Sequence, residues 1–93
     1  GRYGTIRMHQ ERTYPGRVAA TDLVLPDIPA LARAYGGVGE TVTETGGFPD
    51  ALTRAVETGG LRLIELVTDG EALSPGQTLH GARAAGEAAL SRR

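Results

Sequence analysis

Apolar positions along this chain follow two rhythms. In "PDIPALARAY", Pro26 to Tyr35, the residues Ile28, Leu31, Ala32 and Tyr35 recur at i, i+3, i+4 and i+7, the spacing of one helical face. Asp27 suits an N-cap, Pro29 is tolerated in a first turn, and Gly36-Gly37 ends the helix. "FPDALTRAVETGG" repeats the rhythm, with Phe48, Ala51, Leu52, Ala55 and Val56 on one face and Gly59-Gly60 as the stop. Between the two helices, "VGETVT", Val38 to Thr43, is short and β-branched and reads as a strand, and "ETGG" reads as a turn. "LRLIELVTD", Leu61 to Asp69, is mostly continuous aliphatic, as expected of a strand buried on both faces. A last, alanine-rich helix spans roughly Thr78 to Ser91, with Leu79, Ala82, Gly86, Ala89 and Leu90 inward and a fraying first turn and Arg92-Arg93 tail.

These elements make the fold class α/β, a partial parallel sheet with flanking helices. The strand-helix-strand unit at about 38–67 has the length of a crossover between parallel strands. Two strands do not complete a stable parallel sheet. The chain is therefore expected to pair with another or to continue a sheet that begins upstream. Residues Glu11 to Leu25 show a turn signal at Tyr14-Pro15-Gly16 and no periodicity. Long connections of this kind are often functional.

Composition narrows the classes. There is no Cys, hence no disulfide framework and no thiolate metal site. The formal charge is −1, and all ten cationic residues are arginine. That balance argues against a nucleic-acid partner. No apolar run approaches the roughly 20 residues that cross a bilayer, and no signal peptide is visible. A cytoplasmic location is the expectation.

Familiar catalytic constellations are missing. His9 and His80 stand far apart in no ligand motif and read as solvated; His9 lies one helical turn from Ile6. Ser74 and Ser91 lack a nucleophile-elbow context. Glu40, Glu44, Glu57, Asp69 and Glu71 read as strand-edge or helix-surface charges. Glu65 interrupts an apolar strand and should meet an arginine or a sheet edge. Arg7, Arg12 and Arg17 could hold an anion, though scattered arginines are more often solvated. There remains the Gly-x-x-Gly of Gly1 and Gly4. Glycines let a backbone approach a phosphate, and a helix N-terminus offers it free N–H groups. Thr5 could cap a helix over Ile6 to Glu11. On the spacing alone, an ordinary glycine turn is the stronger reading.

"GRYGTIRMHQERTYPGRV", followed by "ATDL", "PDIPALARAYGGVGETV", "ALTRA" and "LIEL", closely resembles the C-terminal end of thiamine-diphosphate-dependent enzymes. The nearest look-alikes are acetolactate synthase and benzoylformate decarboxylase relatives, in their diphosphate-binding domain. The likeness runs from Gly1 to about Leu79, which makes residues 1–93 a C-terminal piece of such a domain, 1–5 a remnant of its cofactor loop and 78–93 its last helix and tail. The family signature begins with Gly-Asp-Gly and ends with Asn-Asn; the Asp, the second Asn and a backbone carbonyl two residues on bind Mg²⁺, which holds the diphosphate. The resemblance implies that Gly1 follows that Asn and that Arg2 supplies the carbonyl, its side chain free to vary. It further implies that Gly1, Arg2, Tyr3 and Gly4 bind the cofactor and that Thr5 and Ile6 face the thiazolium and substrate. The chain contains no Asn and no Gly-Asp-Gly. The implied function is decarboxylation or carboligation of a 2-keto acid. The implied partners are the remainder of a parent polypeptide or a second subunit, and the implied cofactors, thiamine diphosphate and Mg²⁺, need residues beyond these. Two readings stand beside it: a non-catalytic α/β interaction module that docks through its sheet edge, and a small phosphate-ligand-binding regulatory module.

Overall fold

The computed structural model describes residues Gly1 to Arg93. They divide into two compact units, Leu25–Thr68 and a discontinuous one built from Gly1–Val24 with Asp69–Arg93.

In the central unit, the Asp27 carboxylate accepts the Ala30 N–H at 2.9 Å and starts helix α2, Ile28–Ala34. Its end is a Schellman cap: Gly36, at φ 78°, donates to the Arg33 carbonyl and Gly37 donates to Ala32, both at 2.9 Å. Strand β1, Val38–Val42, follows, then a 3₁₀ turn at Thr45–Gly47, helix α3, Phe48–Thr58, and strand β2, Arg62–Leu66. β1 and β2 pair in parallel, Val38 opposite Arg62 through Val42 opposite Leu66. Alternation along β1 assigns the two faces. A Cβ on Gly39 would stand 2.4 Å from Pro29 Cα, so α2 lies directly on that face. Glu40, one residue on, points the other way and takes the Arg54 guanidinium of α3. The sheet is thus covered by α2 on one side and α3 on the other.

The elements match the periodicity closely, and their burial does not. Of the predicted α3 face, Ala51 is buried and Ala55 half-buried, while Phe48, Leu52 and Val56 stay exposed. In α2, Ala32 is buried, but Leu31 and Tyr35 are exposed. β2 ends at Leu66 rather than Asp69 and is half-buried, not buried on both faces. Two strands give each helix too narrow a platform to cover its apolar stripe. Glu65 meets no arginine; it accepts the hydroxyl of its cross-strand neighbour Thr41 at 2.8 Å.

The discontinuous unit has helix α1, Gly4–Thr13, a short antiparallel hairpin of β3, Ala72–Ser74, and β4, Gln77–Thr78, and helix α4, Leu79–Ser91. Hydrophobic periodicity does not predict the hairpin. Its signal is "SPGQ": Pro75 precedes Gly76 at φ 80°, the demand of a type II turn. Thr78 is the N-cap of α4, its hydroxyl accepting the Gly81 N–H at 3.0 Å, so the first turn is fixed rather than frayed. α1 and α4 pack at a close approach made by Gly86, where a Cβ would stand 2.6 Å from the carbonyl oxygens of Glu11 and Arg12. Leu79 is buried, and Ala82 is half-buried. Ala89 and Leu90, expected inward, are exposed because the contact with α1 centres on Gly86 and leaves the last turn uncovered.

A fully covered carboxylate lies at that crossing. Glu11 accepts Nε of Arg83 at 2.9 Å, its Nη2, and the Gly16 N–H at 2.9 Å. The Arg83 hydrogen bonds first, then the Gly16 amide, hold its pKa down to about 2 against the cost of burial. Arg83 titrates above its ordinary range for the reciprocal reason.

Candidate functional site

The chain enters as a short extended strand. Tyr3 N–H donates to the Thr21 carbonyl at 2.9 Å and Leu23 N–H donates to the Gly1 carbonyl at 2.8 Å. This makes Arg2 and Asp22 an antiparallel pair of the non-hydrogen-bonded kind. The neighbours' polar groups are spent on the ladder, and the N–H and C=O of Arg2 turn to the opposite side. No group of the chain donates to the Arg2 carbonyl.

Helix α1 begins immediately after this strand. Arg7 N–H donates to the Tyr3 carbonyl at 2.9 Å, the first helical bond. The N–H groups of Gly4, Thr5 and Ile6 find no acceptor, Tyr3 provides no side-chain cap, and the first turn has no acid. Thr5 therefore does not cap the helix, as its composition suggested; it lies within it, because the chain turns helical at Gly4, one residue earlier. Three free amides and the positive end of the helix dipole stand beside an unengaged carbonyl. The amides suit an anion, and the carbonyl suits a hard cation that takes oxygen ligands. Gly4 is half-buried against Leu73, while Tyr3, Thr5 and Ile6 are exposed.

Around the strand, charges are matched. Asp22 Oδ1 accepts Nη1 of Arg7 at 2.7 Å and lies 4.0 Å from Nε of Arg2. Arg2 also reaches Glu71 at 3.7 Å and lies over Gly70, where a Cβ would come within 3.4 Å of its Nε. The Arg2 side chain thus lies near two carboxylates without a hydrogen bond to either. The three arginines considered as an anion site are not brought together: Arg7 is engaged by Asp22, and Arg17 lies 6.0 Å above the Tyr14 ring. His9 is exposed, and no three His, Cys, Asp or Glu side chains gather as a metal cluster.

Residues 1–66 match the family model described as the thiamine pyrophosphate enzyme, C-terminal TPP binding domain. The chain belongs to this family. No solved structure was found to match it significantly. The TPP-binding domain match takes in the entry strand, α1 and the whole β1-α3-β2 unit, and stops at the end of β2. The hairpin and α4 lie beyond it, whereas the wording of the sequence resembles the family to about Leu79. The parallel sheet with flanking helices agrees with a TPP-binding C-terminal domain. No helix is long and apolar enough to cross a membrane.

Sequence reading found the residues of the entry strand and missed what holds them. Asp22, Gln10 and Glu71 touch that strand or its partner from 9 to 69 positions away, and no short spacing announces such contacts. The one available hint was the polar "TD" pair inside an otherwise aperiodic connection.

Proposed function

We propose that this domain works in an enzyme that acts on 2-keto acids with thiamine diphosphate, by decarboxylation or carboligation in the manner of acetolactate synthases and benzoylformate decarboxylases. The observation that supports it is the free Arg2 carbonyl beside the three unsatisfied amides of α1. In this reading the Arg2 carbonyl is one oxygen ligand of a Mg²⁺ ion. Gly1, Tyr3 and Gly4 line the diphosphate, and the amides of Gly4, Thr5 and Ile6 carry its negative charge. The exposed side chains of Thr5 and Ile6 face the thiazolium and the substrate. When bound, thiamine diphosphate supplies a nucleophilic carbon and an electron sink for the bond broken at the keto acid. The residues here bind and orient it, and none serves as general acid or base. The chain has no Asn, so any asparagine ligand comes from outside these residues, from the rest of the polypeptide or a second subunit.

Thr5→Asp tests the site. An acid in the first turn suits a helix N-terminus, so the melting temperature should hold or rise. The same charge would repel a diphosphate, and calorimetric binding of thiamine diphosphate in Mg²⁺ should weaken about tenfold or more. Thr5→Ser should do neither. Unchanged binding in Thr5→Asp would remove the diphosphate from this helix end. Release of carbon dioxide from pyruvate or benzoylformate tests the substrate class; a protein that binds the cofactor and releases none would refute it.

A further inference from the structure

The strand that pairs with Gly1–Tyr3 is itself held in an uncommon shape. Ala20 lies at φ 56°, the single non-glycine residue with positive φ. A side chain is disfavoured there, and such a conformation persists only where its surroundings dictate it. Gln10 of α1 bonds to the residues on both sides of Ala20. The Gln10 carboxamide donates through Nε2 to the Ala19 carbonyl at 2.8 Å and accepts the Thr21 hydroxyl through Oε1 at 3.1 Å. The two bonds flank Ala20, one on the backbone carbonyl of Ala19 and one on the side-chain hydroxyl of Thr21. Thr21 is buried at 3 % exposure, and its carbonyl is the group that takes the Tyr3 N–H.

The contacts form one line. Gln10 fixes the bend at Ala20, and the bend sets the direction of Thr21–Leu23. That segment engages Gly1 and Tyr3 on the ladder side, which leaves the Arg2 carbonyl facing outward. Asp22 adds a second tie through Arg7, one helical turn before Gln10. We propose that Gln10 is a positioning residue for the Arg2 carbonyl, setting its direction through the left-handed bend at Ala20. The inference rests on the Mg²⁺-diphosphate reading above. Gln10 itself touches neither metal, cofactor nor Arg2; it acts through Thr21 and the strand pairing, so its loss is set at the low end of the roughly 10- to 100-fold that direct partners of metal ligands contribute.

The test compares Gln10→Ala, Ala20→Gly and the double variant in the full-length protein. Two quantities are read: the Mg²⁺ concentration that half-saturates thiamine diphosphate binding by calorimetry, and the melting temperature. Gln10→Ala should raise the Mg²⁺ requirement about tenfold and lower the melting temperature. Adding Ala20→Gly removes the conformational penalty and should recover the melting temperature. It leaves the bend unheld, so the Mg²⁺ requirement should stay high. Gln10→Glu keeps the acceptor for Thr21, loses the donor to Ala19, and should fall between; it also serves if Gln10→Ala does not fold. An unchanged Mg²⁺ requirement in Gln10→Ala overturns the proposal. So does a double variant in which affinity returns together with stability, since that marks a merely structural residue. If the parent protein binds thiamine diphosphate without any need for Mg²⁺, the metal reading falls and this inference with it. A parent that needs Mg²⁺ beside a Gln10→Ala that needs no more refutes the inference alone.

Discussion

The two units of this chain are held by different means. Leu25–Thr68 is layered, with a parallel strand pair between two helices, and its buried side chains, Ala32, Val42 and Ala51, are small and apolar. The unit made of Gly1–Val24 and Asp69–Arg93 buries Leu79, but it also buries Glu11 and Thr21. Its ties are polar and join distant positions, Glu11 to Arg83 across 72 residues and Arg2 to Glu71 across the hairpin entry. The layered unit carries the parallel-sheet architecture, and the polar unit carries the proposed site. Backbone pairing of Gly1 and Tyr3 with Thr21 and Leu23 leaves the Arg2 carbonyl free, and side-chain ties from Gln10 and Asp22 hold the segment that pairs.

Leu79→Ala should break the comparison most directly. Leu79 is 2 % exposed, and truncation of such a residue costs about 3 kcal/mol. Denaturant unfolding measures the loss, and hydrogen exchange locates it. Faster exchange is expected in residues 1–24 and 69–93; an equal rise across 25–68 would show that the two units share their stability.

Gly86→Ala follows. A methyl placed 2.6 Å from two backbone carbonyls must push α1 and α4 apart, a cost of about 2 kcal/mol. The same denaturant titration reads it, and no loss would mean that the crossing is looser than described.

The ion pair at that crossing gives an asymmetric expectation. Arg83→Met leaves the Glu11 carboxylate covered and unpaired, whereas Glu11→Gln leaves Arg83, 42 % exposed, to water. Arg83→Met should therefore lower the melting temperature more. Acid separates the two as well. Glu11 has a folded pKa of about 2 against an ordinary 4.5, so its contribution is complete above about pH 4.5 and is lost as pH falls through 2. The stability gap between the parent and Glu11→Gln should be widest near neutral pH and close over that window. A gap that ignores pH would mean that the charge is not what the crossing uses.

The smallest effect belongs to the layered unit. Arg54→Ala removes an exposed pair with Glu40, and surface pairs contribute little. Its melting temperature should be indistinguishable from the parent's. A clear drop would make the sheet depend on charge after all and erase the contrast.

Legibility in the sequence divides along the same line. α2, β1, α3 and β2 were readable because a periodicity of 3.6 or 2 and a glycine stop are local properties. Asp27 as a cap and Gly36-Gly37 as a terminator were readable for the same reason. Which apolar residues end up covered was not, since Leu52 and Val56 have an inward rhythm but only two strands beneath them. In the polar unit, Gly1 to Ile6 were recognisable as wording shared with a family. The Gln10 bonds that flank Ala20, the Asp22 tie and the burial of Glu11 depend on where the chain returns, which no local pattern encodes.

Gly39 and Gly86 have a consequence for how this chain can vary. At each, the obstacle is fixed backbone, Pro29 in one case and the carbonyls of α1 in the other, at 2.4 and 2.6 Å from the first side-chain carbon. Every amino acid that a codon change can introduce brings that carbon. A saturation scan should therefore show that even alanine is destabilising at these two positions and that larger residues cost more. Neither site offers a cost-free first step by which the packing could loosen.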